Sequence, residues 1–183
     1  MRYTFLSFSP PIVEEDEINE VLDTLNSTWI TTGPKVKRFE DEFKSYFNCY
    51  AALALNSCTG ALHTALATLE IGSGDEVITT PMTFCASVNV IEQVGAKPVL
   101  VDVEHDTLNI DPEKIEKAIT PKTKAILPVH YSGHPVELDS INEIAKKHNF
   151  FVIEDAAHAL SAKYKGKFIG STNNPVCFSF YAT

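Results

Sequence analysis

Residues 124–154 read KAILPVHYSGHPVELDSINEIAKKHNFFVIE, and this stretch decides the fold class. The apolar runs at 124–129 and 150–154 are each short enough to be a buried strand. Between them, residues 138–148 repeat apolar side chains at the spacing of an amphipathic helix. Apolar strands separated by such helices are typical of a parallel sheet that is covered on both faces. The stretch therefore predicts one strand–helix–strand unit of an α/β protein.

The same alternation extends from this unit over most of the chain. We predict strands at Tyr50–Leu55, Glu76–Thr80, Pro98–Val103, Lys124–Val129, Phe150–Glu154 and Val176–Phe180. We predict helices at Val13–Asn26, from Pro34 onward, and at Gly60–Leu69, Phe84–Val94, Pro112–Ile119 and Leu138–His148. The expected fold class is α/β, with three layers and a mostly parallel sheet.

Composition excludes several classes of protein. The chain has 183 residues, 44% of them hydrophobic, which suits one domain or most of one. Its net charge of -9 argues against binding to nucleic acid or to an anionic membrane. It has neither a signal-peptide pattern nor an apolar run of roughly 20 residues that could span a bilayer. Its four cysteines form no CxxC pair, so we expect reduced thiols and a cytoplasmic protein.

Ligands of open α/β sheets collect beyond the carboxyl ends of the strands, so residues at these ends are the first candidates for a site. The first predicted strand ends at Asn56-Ser57-Cys58-Thr59-Gly60, which leads into a helix. Small hydroxyl residues and a glycine there suit either a phosphate site or a plain N-cap. Asp155 follows the fifth predicted strand, with His158 three residues later. The carboxylate could pair with a cationic ligand or cap the next segment.

Three further candidates have ordinary structural interpretations as well. Phe84 would by default be a core residue, and a lone buried serine such as Ser179 usually satisfies a backbone group. His130 and His134 have the spacing of metal ligands, but the intervening Ser-Gly and the following proline break a helix, so we expect no metal site. Together the strand ends offer a turn for a phosphate, an aromatic ring, a carboxylate, a histidine and a serine. That combination suits a flat, phosphorylated, cationic ring.

Several strings in the chain resemble one protein family. They are 29–34 (WITTGP), 74–79 (GDEVIT), 102–103 (DV) with 107–109 (TLN), 154–158 (EDAAH) and 178–181 (FSFY), in that order. The sequence closely resembles the DegT/DnrJ/EryC1/StrS family of sugar aminotransferases, which use pyridoxal 5'-phosphate (PLP). The resemblance covers essentially the whole chain. It implies the large domain of a fold-type I PLP-dependent transferase, with residues 1–183 forming an N-terminal segment plus an incomplete large domain, truncated before the C-terminal small domain.

The resemblance also implies roles for single residues. Thr59 and Gly60 resemble the phosphate-binding turn, and Phe84 resembles the aromatic residue that stacks on the pyridine ring. Asp155 resembles the catalytic carboxylate that pairs with the pyridinium nitrogen. His158 resembles a residue near the ring hydroxyl, where many relatives have glutamine, and Ser179 resembles a second phosphate ligand. These roles are chemically reasonable, because a carboxylate beside the ring nitrogen favours its protonated form.

The Schiff-base lysine of the family is expected at position 184, and the sequence stops at Thr183. Because it stops within an apolar run, we expect the natural chain to continue. The function implied is amination of a nucleotide-linked keto-sugar, with glutamate as the expected donor, for polysaccharide, lipopolysaccharide or a secondary metabolite. The expected enzyme is a homodimer. Two alternatives stay open: a PLP-dependent sugar dehydratase with His at position 184, and a non-catalytic cofactor-binding fragment.

Overall fold

The computed structural model describes residues 10–181, and its centre is a parallel β-sheet. The strands in chain order are β1 (Glu76–Thr79), β2 (Lys97–Leu100), β3 (Thr123–Ile126), β4 (Phe151–Val152), β5 (Glu154–Ala156), β6 (Lys163–Tyr164), β7 (Lys167–Phe168) and β8 (Val176–Phe178). The helices are α1 (Glu15–Asn26), α2 (Pro34–Phe47), α3 (Cys58–Thr68), α4 (Ala86–Gln93), α5 (Pro112–Ala118) and α6 (Leu138–His148), with a short 3₁₀ turn at Tyr131–Gly133.

The parallel strands lie in the order β2-β1-β3-β4, and β5 pairs in parallel with β8. Backbone hydrogen bonds join the two groups, because β5 directly follows β4 and contacts the chain beyond β3. The N–H of Asp155 donates to the carbonyl of Pro128 at 2.9 Å, and the N–H of His130 donates to the carbonyl of Asp155 at 3.0 Å. Strands β6 and β7 form a separate antiparallel hairpin.

Two hydrophobic clusters cover the two faces of this sheet. Ile78 of β1 and Ile126 of β3 belong to a cluster with residues of α5 and α6. Their neighbours Val77 and Ala125 belong to a second cluster with residues of α3 and α4. Successive strand residues point to opposite faces, so apolar side chains at consecutive positions fill both clusters. The predicted α/β class, with three layers and a mostly parallel sheet, is confirmed.

Local sequence signals set the ends of several helices. The Ser57 hydroxyl caps α3 by accepting the N–H of Gly60, and the Asp111 carboxylate caps α5 by accepting the N–H of Glu113. Helix α6 is followed by Asn149, whose φ of 58° lies in the left-handed region that asparagine tolerates. Its bounds, Leu138–His148, are those predicted from the sequence.

The predicted strand at Tyr50–Leu55 is wrong, because residues 51–55 have no strand assignment. A strand exists only where its backbone forms a ladder with a neighbour, and the described residues place none beside this segment. Its side chains are correspondingly open, with Tyr50 96% and Leu53 70% exposed. The predicted strand at Phe150–Glu154 is two strands, β4 and β5, which are separated at Ile153. Residues 1–9 and 182–183, and with them the predictions made for the two ends of the chain, lie outside the described residues.

Helix α1 has an apolar stripe but no buried residue. Charged contacts join it to α2: the carboxylate of Glu20 bonds both Lys35 at 2.7 Å and Arg38 at 2.8 Å. These two cations lower the pKa of Glu20 to about 2. Among residues 10–181, no helix combines the length and the apolar character that crossing a bilayer requires.

Candidate active site

The carboxyl ends of β5 and β8 and the start of α3 meet at one edge of the sheet. Asp155 of β5 is paired in register with Cys177 of β8. The thiol of Cys58 at the start of α3 lies 3.5 Å from the carbonyl oxygen of Cys177. The pairing therefore brings the predicted phosphate turn and the predicted carboxylate to the same edge, although about 95 residues separate them in sequence.

Asp155 is held from two sides and is only 4% exposed. Its Oδ2 accepts a hydrogen bond from the Ser87 hydroxyl at 2.7 Å, and its Oδ1 accepts one from the N–H of Ala157 at 3.1 Å. An ionised carboxylate has about four acceptor positions, so two positions are left for a ligand. No described cation pairs with Asp155, which leaves this buried acid able to take a cationic partner.

The turn before α3 is both an N-cap and an open amide site. Ser57 accepts the N–H of Gly60 at 3.0 Å, which confirms the N-cap interpretation for that serine. The hydrogen bonds described for residues 10–181 leave the N–H groups of Cys58 and Thr59 without an acceptor. A Cβ added to Gly60 would lie 2.7 Å from Asn56 Oδ1, so the turn is closely packed around this glycine. Free amides at a helix start suit a phosphate.

Phe84 lies two residues before α4 with 74% of its surface exposed, so its default interpretation as a core residue is wrong. Its carbonyl accepts the N–H of Ser87 at 3.2 Å, which places its backbone beside the residue that holds Asp155. An exposed aromatic ring at the edge of a buried polar site is available to stack on a planar ligand.

Ser179 and His158 lie at the ends of the same two strands. Ser179 follows β8, and its hydroxyl oxygen accepts the N–H of Tyr181 at 3.2 Å, so it satisfies a backbone group as expected for a lone serine. His158 is exposed two residues after β5, with its ring centroid 6.5 Å from that of Tyr131. The structure thus places the predicted site residues around one edge, with Asp155 buried and His158 open to solvent.

Sequence reasoning missed the partners of Asp155. Ser87 is fully buried in the first turn of α4, and the hydroxyl of Thr83 lies 2.7 Å from the hydroxyl of Ser87. The available signal was a small polar residue three positions after Phe84, on the face of a helix that packs on the sheet. That signal is weak, because only the fold brings residue 87 to residue 155.

His130 belongs to a buried network behind the site. Its Nε2 lies 3.0 Å from Glu154 Oε2, and both side chains are 0% exposed. Its Nδ1 accepts the N–H of Val136, so the ring proton is on Nε2 and is donated to Glu154. His130 is therefore a buried structural partner of Glu154. In the described part of the chain, no group of three or more His, Cys, Asp and Glu residues could hold a metal ion.

The two cysteines beside the site are protonated thiols at neutral pH. Burial, with a smaller contribution from the charge of Asp155, raises the pKa of Cys58 to about 12. Burial also raises the pKa of Cys177, and the neighbouring Cys58 adds to the effect. Because the thiolate is the nucleophile, neither sulfur is suited to covalent catalysis.

A family model for the DegT/DnrJ/EryC1/StrS aminotransferase family matches residues 11–183. The chain belongs to this family. Its members are PLP-dependent aminotransferases, so the family resemblance and the cofactor predicted from the sequence are confirmed at the level of the family. The buried acid, the free α3 amides and the exposed Phe84 fit such a cofactor, since they offer a partner for a cationic ring nitrogen, for a phosphate and for a ring face.

Three family relatives illustrate the similarity. The chain is 50% identical over 182 residues to the spore coat polysaccharide biosynthesis protein SpsC of Bacillus subtilis. The matched region covers 100% of this chain and 47% of SpsC. The putative sugar aminotransferase Spr1654 of Streptococcus pneumoniae, solved in a pyridoxamine phosphate (PMP) form, is 43% identical with a TM-score of 0.93, over 97% of this chain and 48% of that one. PseC of Helicobacter pylori, an aminotransferase involved in pseudoaminic acid biosynthesis, is 34% identical with a TM-score of 0.90. The match covers 96% of this chain and 48% of PseC. The chain thus spans about half the length of these relatives.

Proposed function

We propose that this protein is a PLP-dependent aminotransferase that converts a nucleotide-linked keto-sugar to an amino sugar, with glutamate as amino donor. The observation that carries the proposal is the buried Asp155 carboxylate, 4% exposed, at the carboxyl edge of the parallel sheet. A carboxylate held there without a cationic partner is suited to stabilise a protonated ring nitrogen. When bound, PLP supplies the electron sink that amino-group transfer requires.

Each remaining site residue has a proposed task. The amides of Thr59 and its neighbours, with the positive end of the α3 dipole, hold the phosphate, and Gly60 keeps the turn close to it. Ser179 donates its hydroxyl to the same phosphate. Phe84 covers one face of the ring and fixes its plane. His158 lies near the ring hydroxyl, where its role as donor or acceptor depends on its protonation.

The sugar substrate is argued from the relatives. SpsC is named for polysaccharide biosynthesis, Spr1654 is called a putative sugar aminotransferase, and PseC is an aminotransferase in pseudoaminic acid biosynthesis. We extend this to a product used in polysaccharide or lipopolysaccharide. We further propose that residues 1–183 are the N-terminal segment and large-domain part of a cytoplasmic homodimer, and that a lysine at position 184 binds the cofactor covalently.

The proposal is tested with the full natural chain by measuring amino transfer from glutamate to a panel of nucleotide keto-sugars. We expect turnover of at least one sugar and a loss of about a hundredfold in kcat/KM for Asp155→Asn, the size of effect seen when one stabilising polar group is removed. Asp106→Asn is the matched control, because that side chain is 95% exposed. Absence of transfer across the panel by a protein that binds PLP would contradict the proposal.

Borohydride reduction followed by intact-mass measurement tests the covalent lysine separately. A mass increase equal to the reduced cofactor, located at residue 184, supports the aminotransferase. A histidine at that position would instead support the dehydratase alternative. A folded protein that binds the cofactor without a covalent bond and lacks transaminase activity would support the non-catalytic one.

A further inference from the structure

The Ser87 hydroxyl donates its hydrogen bond to an acceptor outside its own helix, the carboxylate of Asp155. A serine in a helix commonly bonds a backbone carbonyl three or four residues earlier, and the carbonyl of Phe84 lies 3.3 Å from the Ser87 hydroxyl. The carboxylate of Asp155 is closer, at 2.7 Å. A hydroxyl has one proton, and a bond to a charged acceptor is shorter and stronger than one to a neutral carbonyl. The Ser87 proton is therefore directed to Asp155.

The Thr83 hydroxyl is hydrogen-bonded to the Ser87 hydroxyl, and the direction of this bond follows from the bond to Asp155. Its hydroxyl lies 2.7 Å from the Ser87 oxygen. Since the Ser87 proton is donated to Asp155, the proton in this second bond must come from Thr83. The result is a short chain of hydrogen bonds in which Thr83 donates to Ser87 and Ser87 donates to Asp155, with Ser87 0% exposed. Water therefore cannot replace the Ser87 hydroxyl without rearranging the packing of α4 against the sheet.

Ser87 also connects the two residues that would face the cofactor ring. Its side chain holds one oxygen of Asp155, while its N–H donates to the carbonyl of Phe84 at 3.2 Å. The other oxygen of Asp155 is held by Ala157. Two donors on different oxygens fix the plane of a carboxylate, and the free acceptor positions then have a set direction.

We propose that Ser87, oriented by Thr83, is a positioning residue that fixes the plane of the Asp155 carboxylate relative to Phe84 and so aims it at the ring nitrogen of the cofactor. This inference rests on the proposed function, and it deepens that function by naming residues that act through Asp155. It also gives the two serines at this edge different proposed tasks: Ser179 would bind the phosphate, whereas Ser87 would act at the opposite end of the ring.

The test measures the affinity of the full natural chain for PMP, which binds without a covalent bond and so does not depend on residue 184. We expect Ser87→Ala to weaken PMP binding about tenfold, the equivalent of one hydrogen bond to a charged group. Thr83→Val should weaken it by a smaller factor of about 2–3, because it acts through Ser87. Ser140→Ala, a serine in the first turn of α6, is the matched control and should leave the affinity unchanged.

A double-mutant cycle distinguishes positioning from a general structural role. On an Asp155→Asn background, Ser87→Ala should have an effect of less than about twofold on PMP affinity, since the ionised acceptor is gone. A loss of the same size on both backgrounds would overturn the inference, as would unchanged affinity in Ser87→Ala itself. Melting curves without ligand show whether each variant is folded.

Two controls keep the outcomes distinct. If Ser87→Ala does not fold, Ser87→Thr carries the test: it keeps the hydroxyl, so a folded Ser87→Thr protein should stay within about twofold of the wild type, and a tenfold loss would overturn the inference. If the wild-type protein itself does not bind PMP, the proposed function fails. If it binds PMP and Ser87→Ala binds equally well, only the positioning role fails.

Discussion

Replacing Glu154 with alanine should destabilise the fold more than any surface substitution, because three donors converge on its carboxylate. His130 Nε2 bonds one oxygen at 3.0 Å, while Thr172 Oγ1 and Asn174 Nδ2 bond the other at 2.9 and 2.8 Å. Asn174 keeps a second acceptor in Asn142, and Thr172 is only partly buried. His130 is 0% exposed and would be left without an acceptor.

The expected change in the free energy of unfolding comes in large part from His130, the donor that would be left buried without an acceptor. Leaving the buried, neutral His130 N–H without an acceptor costs about 1–3 kcal/mol, and the cavity left by the Glu154 side chain adds a comparable amount, so we expect about 3–5 kcal/mol in total. Glu154→Gln keeps the shape and one acceptor oxygen, so we expect a smaller cost of about 1–3 kcal/mol. Glu143→Ala, on the exposed face of α6, is the control and should change stability by less than about 0.5 kcal/mol.

Urea unfolding followed by circular dichroism, on the full natural chain, measures these differences in free energy. The expected order of destabilisation is alanine, then glutamine, then the control. A cost below about 1 kcal/mol for Glu154→Ala would refute the reasoning, since a buried histidine cannot lose its acceptor so cheaply. Equal costs for alanine and glutamine would show that packing, and not hydrogen bonding, determines the effect.

Thiol reactivity, acid stability and the α3 turn provide three further tests. With a pKa of about 12, Cys58 should be alkylated by iodoacetamide at least about tenfold more slowly than the exposed Cys85 near neutral pH, and equal rates in peptide mass spectrometry would contradict this. Hydrogen bonds from Thr120 and Lys97 lower the pKa of Glu76 in the folded state, so its stabilisation is present above the unfolded value and is lost as the pH falls through the folded one. Glu76→Gln should therefore flatten the acid side of the stability–pH curve, and an unchanged slope would contradict it. Gly60→Ala should weaken PMP binding several-fold, because its Cβ would lie 2.7 Å from Asn56 Oδ1 and so displace part of the turn; unchanged affinity would contradict the assignment of the phosphate to this turn.

The sequence predicts those elements whose stability is local. Helix α6 has its predicted bounds because its apolar spacing, basic last turn and Asn149 are all signals within the helix itself. The segment at 50–55 has the composition of a strand, but a strand depends on a neighbour that the segment does not encode.

The residues of the site likewise differ in whether the local sequence predicts them. Asp155 could be predicted because it directly follows an apolar strand, and ligands collect at such ends. Ser87 could not, because its bond to Asp155 spans 68 residues of sequence. The exposure of Phe84 was also outside local reasoning, since an aromatic residue next to an apolar helix is ordinarily buried.

The adjacency of Glu154 and Asp155 has a consequence for protein engineering. Along β5 the two side chains point to opposite faces, one into the His130 network and the other toward Ser87. A single-residue deletion or insertion between α6 and β5 that is taken up as a shift of β5 would turn each acid to the opposite face, so that an insertion puts Glu154 in the place of Asp155 and a deletion puts Asp155 in the place of Glu154. The loop before β4 therefore has a length that cannot be varied freely, whereas the β6–β7 hairpin can accept insertions without altering which acid faces the ligand.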